Sequence, residues 1–197
     1  TAHKFDVVLD IDTPSADGQV LSLPAWFPGS YMIRDFAKHV VRLVATANGQ
    51  PIKATKRDKQ TWFLAPTNGP IQVQYSIHAW DLSVRKAHLD ATHGYFNGTS
   101  VFLRVHGEDD SPCDVILTQP QGECYATWRV ATTLPRVGGN ALEFGHFQAS
   151  NYDELIDCPV ERGTFVHACF EAGGIPHEVA LTGVFDVDLD RLCAVLK

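Results

Sequence analysis

The chain is predicted to be mainly β, an antiparallel β-sandwich or curved sheet, and three observations predict it. Apolar and polar residues alternate with a period of two in several short runs. Turn pairs and triplets such as Asn48-Gly49 and Asn68-Gly69-Pro70 separate those runs. Helical periodicity is confined to a few short stretches.

In order, Phe5, Val7, Leu9 and Ile11 alternate with Lys4, Asp6, Asp10 and Asp12, the pattern of a half-buried strand. Pro14, Asp17 and Gly18 turn the chain into a returning strand over 19–25. The segment from Tyr31 to His39 reads as a helical turn, with Ser30 as its cap and Ile33, Phe36 and Ala37 on one face. Val41, Leu43 and Ala45 alternate up to the Asn48-Gly49 hairpin turn. Thr61 to Leu64 forms a short aromatic strand, and Ile71, Val73, Tyr75 and Ile77 line one face of the next. Further strands are expected at Ser100–Val105, Val115–Thr118 and Tyr125–Val130. Ser150 to Asp157 is an acidic helical or loop connection. Phe165–Phe170 and Glu178–Phe185 read as strands joined at Gly173-Gly174, and Asp188 caps a final helix carrying Leu189, Leu192, Cys193 and Leu196.

The 197 residues suffice for one large domain, or one domain plus part of another. Residues 1–80 hold 8 Lys/Arg against 6 Asp/Glu, and residues 81–197 hold 8 against 17. That balance argues against nucleic acid, which needs a basic footprint. The one basic cluster, Lys53, Lys56, Arg57 and Lys59, is interrupted by Asp58 and reads as a solvated face. Five cysteines without a C-x-x-C pair argue for reduced, mostly buried thiols rather than a disulfide framework or a structural zinc site. No stretch approaches the ~20 apolar residues of a membrane helix. A cytoplasmic address is expected, or a periplasmic one if a leader preceding Thr1 was removed.

The run LPAWFPGSYMIRDFAKHV, Leu23 to Val40, resembles the N-terminal domain of the glycyl-aminopeptidase family of zinc metallopeptidases (peptidase family sixty-one). Further similarity lies at Asp58–Trp62, Leu82–Leu103, Ala131–Val137 and Tyr152–Phe165, and Gly174–Gly183 is similar to the family's entry into its catalytic domain. The resemblance implies a β domain over 1–155 and, over 156–197, the first strands and helix of a thermolysin-like domain. It also implies a zinc-bound water that attacks the peptide carbonyl, with a glutamate as general base. H-E-x-x-H is absent: the only His-Glu pair is His177-Glu178, with Leu181 four residues after the histidine. The expected function is therefore the non-catalytic part of an aminopeptidase-like metallopeptidase. It would shape the peptide cleft of its own catalytic domain, with zinc belonging to the full-length protein and no cofactor to these residues. No membrane or nucleic-acid partner is implied, and a dimer through the exposed domain interface is an expected consequence of separation. The alternative is a stand-alone β-sandwich binding module, for carbohydrate for example, with Trp26, Trp62, Trp80 and Trp128 as a platform.

No catalytic residue is assigned. Arg34 can hold a carboxylate or simply bond its own turn. By the resemblance, Tyr95 or Asn97 can contact the substrate's amino end, although an asparagine before Gly98 is also an ordinary turn residue. Glu161 can attract an α-ammonium group or form an interface salt bridge. No metal site is assigned either. His88, Asp90 and His93 come nearest, but three ligands in His-x-Asp-x-x-His spacing also describe an ordinary polar loop.

Overall fold

A computed structural model describes residues 3–27, 29–30 and 32–197. Pro28 and Tyr31 lie outside the described residues, as do Thr1 and Ala2. Among the described residues, sixteen strands and two α-helices run in the order β1 (Lys4–Ile11), β2 (Gln19–Ser22), β3 (Val40–Ala47), β4 (Gln50–Ile52), β5 (Ala54–Lys56), β6 (Thr61–Leu64), β7 (Ile71–His78), β8 (Ala87–Leu89), β9 (His93–Phe96), β10 (Arg104–Val105), β11 (Cys113–Leu117), β12 (Arg129–Thr132), β13 (Gly145–Ala149), α1 (Tyr152–Asp157), β14 (Val160–Gly163), β15 (Val166–Ala172), β16 (Ile175–Leu181) and α2 (Leu189–Leu196).

The protein is mainly β, and its named strands pair antiparallel in sheets that close no barrel. Three four-stranded sheets have the orders β1-β7-β3-β4, β10-β2-β6-β5 and β12-β14-β9-β8; β11-β13 and β15-β16 are two-stranded. The period-two patterns become burial. In β7, Ile71, Val73, Tyr75 and Ile77 are buried and Gln72, Gln74 and His78 exposed. Phe5 and Ile11 of β1, Leu21 of β2, Leu64 of β6, Phe96 of β9, Val130 of β12, Phe147 of β13 and Val160 of β14 join them in one core. At about 1.5–3 kcal/mol for each large side chain, this shared burial is the main favourable contribution to folding.

Asn48 and Gly49 both take positive φ, 50° and 74°, as a two-residue turn between β3 and β4 requires. The pairing of β3 with β7 slips between Val40 and Arg42, which leaves Val41 exposed although the alternation places it inward. The predicted helical turn is a 3₁₀ segment at Phe36–His39. Asp35, in the left-handed region, precedes it, and Ser30 accepts a bond from Arg34 Nε instead of capping. Of the expected strand at 100–105 only Arg104–Val105 pairs, and Gly98–Ser100 is a 3₁₀ turn. The buried Tyr75 hydroxyl explains this local departure: it donates to Val101 O (2.9 Å) and accepts from Leu103 N (3.3 Å), satisfying loop backbone that a strand partner would otherwise satisfy. Tyr152 of α1 holds the same loop by donating to Phe102 O (2.8 Å).

Lys56 and Arg57 are solvated but lie over the rings of Trp62 and Phe63. The five thiols are free; only Cys158 is buried, so the expectation of mostly buried cysteines is corrected. Trp62 and Trp128 are buried, and the four tryptophans therefore do not make a common surface platform. No helix is long and apolar enough to cross a membrane among the described residues.

The character of the chain changes after Phe165. No later residue is buried. Val166, Ile175, Val184, Phe185, Val187, Val195 and Leu196 expose apolar surface. Asp188 caps α2 as expected, accepting from Arg191 N (3.0 Å).

Candidate functional site

Strand register assembles the polar cluster. Glu161 of β14 lies opposite Tyr95 of β9, and Tyr95 opposite His88 of β8. Because side chains alternate across a sheet, these three project from one face together with His93, two residues before Tyr95. Val160, Phe96 and Ala87 occupy the other face, in the core. The face is laid out by the apolar alternation of its own strands.

The β8–β9 turn is built on Asp90. Its Oδ1 accepts from Thr92 N (2.7 Å), Thr92 Oγ1 (2.7 Å) and His93 N (3.0 Å). Its Oδ2 meets His88 Nε2 at 3.1 Å. A carboxylate only accepts, so His88 is the donor there. By the same rule His93 Nδ1 donates to Glu161 Oε1 (3.2 Å), and Thr182 Oγ1 donates to that oxygen at 3.0 Å. Gly163 sits opposite His93, and a Cβ there would lie 2.9 Å from His93 Cβ. The missing side chain lets the Thr92–His93 backbone and the His93 Cβ approach this closely. The rings of Trp80, His88 and His93 form a stacked ladder, with His3 tilted against Trp80.

Burial acts on the two carboxylates with different outcomes. Burial tends to raise the Asp90 pKa, but the hydrogen bonds from Thr92, His88 and His93 outweigh it and hold the group well below the usual range. Glu161 is raised, because desolvation exceeds the opposing help of Thr182 and His93. His88 is almost fully buried, and its Nδ1 has no hydrogen-bond partner among the described residues. Beneath the sheet, Arg162 lies with its guanidinium 4.6 Å from the Phe5 ring, and burial lowers its pKa to about 10.

Five of the residues singled out in the sequence thus converge: His88, Asp90, His93, Tyr95 and Glu161. The Tyr95 hydroxyl turns to Val84 O (2.9 Å). Asn97 is on the same hairpin but acts locally, its Oδ1 accepting from Thr99 N (3.1 Å) to cap the 3₁₀ turn. Gly98 then lets α1 pack against that turn, since a Cβ would come within 2.7 Å of Ile156 Cα. Arg34 bonds Ser30 and Ala25 and makes no hydrogen bond to the cluster among the described residues. Trp80 was read only as part of a tryptophan platform, and Gly163 and Thr182 were missed by sequence reasoning. Only strand pairing brings them near, and no local motif marks them.

A catalytic zinc of the H-E-x-x-H kind does not fit these residues. His177 lies in β16, bonds Ile175 O at 2.9 Å and stacks on Phe170, and a strand does not bring the position four residues on to the same ion.

A family model described as the Peptidase M61 N-terminal domain matches residues 1–164. The chain belongs to the M61 peptidase family. The M61 chain also resembles the crystal structure of an aminopeptidase N family protein from Idiomarina loihiensis, with a TM-score of 0.94 and 42% identity. That match covers 99% of the M61 chain and 33% of the Idiomarina protein. No curated protein matches it. The end of the family match at residue 164 coincides with the last buried stretch of the M61 chain.

Proposed function

We propose that this chain is the non-catalytic N-terminal part of an aminopeptidase-like metallopeptidase and that it shapes the peptide cleft of its own catalytic domain. The observation that carries the reading is the 42%-identical match to about a third of an aminopeptidase N family protein. The zinc and its ligands would belong to the remainder of the full-length protein. We place the domain boundary near Phe165, about ten residues later than residue 155, because β14 is an interior strand of its sheet and Val160 is fully buried. The hairpin β15–β16 and α2 would then be the first elements of the catalytic domain. Their exposed apolar residues suit a surface that packs against more of that domain. Left uncovered, the same surface would pair two copies of the chain.

Tyr95 and Glu161 lie on the sheet face nearest those elements, as the Thr182–Glu161 bond requires. A peptide's amino end brought to this rim would meet a carboxylate. Free thiols accord with a reducing, cytoplasmic setting. The test is hydrolysis of glycyl and alanyl anilides by residues 1–197. No turnover is expected with or without added zinc, and zinc-dependent turnover would overturn the proposal.

A further inference from the structure

We propose that His88, Asp90 and His93 hold a divalent transition-metal ion on the outer face of the β12-β14-β9-β8 sheet, with Glu161 orienting His93. Its ligands come from the β8–β9 hairpin and not from an H-E-x-x-H helix.

Four observations carry it. One ligand atom from each of the three residues lies within 4.8 Å of the others. The His88 and His93 ring centroids are 5.1 Å apart. Two imidazoles on one tetrahedral ion, each nitrogen about 2.0–2.1 Å from it, hold their centroids about 5 Å apart. The second carboxylate stands where an outer partner is needed: Glu161 accepts the Nδ1 proton of His93, which leaves the lone pair on Nε2 for an ion. Finally, His88 is buried and its Nε2 lies 3.1 Å from Asp90 Oδ2, close enough for one ion to take the place of the proton between them.

The surroundings are preorganised. Asp90 Oδ1 is fixed by three donors, so Oδ2 is held toward His88. Trp80 stacks on the His88 ring and His88 on the His93 ring. Two imidazoles and one carboxylate select zinc, cobalt, nickel, iron(II) or copper(II) over calcium or magnesium. Three protein ligands leave a position for water or a substrate atom.

Untagged protein, stripped with chelator, is titrated with Co2+ and followed by visible absorption and calorimetry. One equivalent is expected, with d–d bands and no thiolate charge-transfer band. Asp90→Asn keeps the oxygen that accepts from Thr92 and His93, so the turn is retained; it should weaken binding at least about tenfold, and Glu161→Gln by about 10–100-fold. His93→Ala should abolish binding. Cys169→Ser addresses the other cluster, His167, Cys169 and Glu178, and should change nothing. The proposal fails if the protein takes up no cobalt, if Asp90→Asn binds like the parent, or if a thiolate band appears that Cys169→Ser removes.

Discussion

At Asp90, one carboxylate oxygen is committed to Thr92 and the His93 amide while the other faces His88. Its folded-state pKa is depressed below the ordinary 3.8. The sign follows: the stabilisation is present above the unfolded pKa and is lost as pH falls through the lower folded value. In chelator, Asp90→Asn should therefore flatten the decline in stability below about pH 4, as read by urea unfolding at several pH values. Identical acid limbs for the two proteins would contradict this. Glu161 has the opposite sign, its contribution fading as pH rises through a raised pKa. At Gly163 the limit is steric. A Cβ would meet His93 Cβ at 2.9 Å, His93 Cα at 3.1 Å and Thr92 O at 3.2 Å, two of them backbone atoms. Gly163→Ala should destabilise by about 1–3 kcal/mol; an unchanged urea midpoint would refute that packing. The sequence made Asp90 and the histidines visible as neighbours on the chain. It could not show Glu161 or Gly163 beside them, because they arrive through β14, about seventy residues later.

At the scale of elements, strands were legible wherever one face met the core and the other met water, as in β1 and β7. Prediction weakened where a tertiary bond replaced a ladder. The loop at Val101–Leu103 reads as strand by its apolar residues but is held by the hydroxyls of Tyr75 and Tyr152. Tyr75→Phe leaves a buried N–H and a buried C=O without their partner, and should lower stability by about 1–3 kcal/mol. Thermal unfolding would show a drop of several degrees, and an unaltered Tm would remove Tyr75 as the clamp. The last elements differ in kind: β15, β16 and α2 bury no residue completely. A chain ending at Phe165 should consequently keep cooperative unfolding with a midpoint close to that of the full 197 residues. Loss of the transition would make the hairpin part of the core domain.

For the molecule as a whole, charge and composition argued against a nucleic-acid partner but identified no substrate. The ordered blocks from Leu23 to Phe165 carried the family likeness, and the match over residues 1–164 bears that out. The antiparallel β architecture was equally legible, because turn residues such as Asn48-Gly49 fix hairpins locally. The site was legible only in part: its residue types were visible, whereas its geometry depends on the register of β8, β9 and β14. In the proposed whole enzyme this domain is a wall, and its exposed apolar elements are where the remaining chain would seat. The most direct test is aminopeptidase turnover by the 197 residues alone, measured on glycyl and alanyl anilides before and after chelation. The account predicts no hydrolysis above buffer in either condition. Turnover that the chelator abolishes and zinc restores would contradict it.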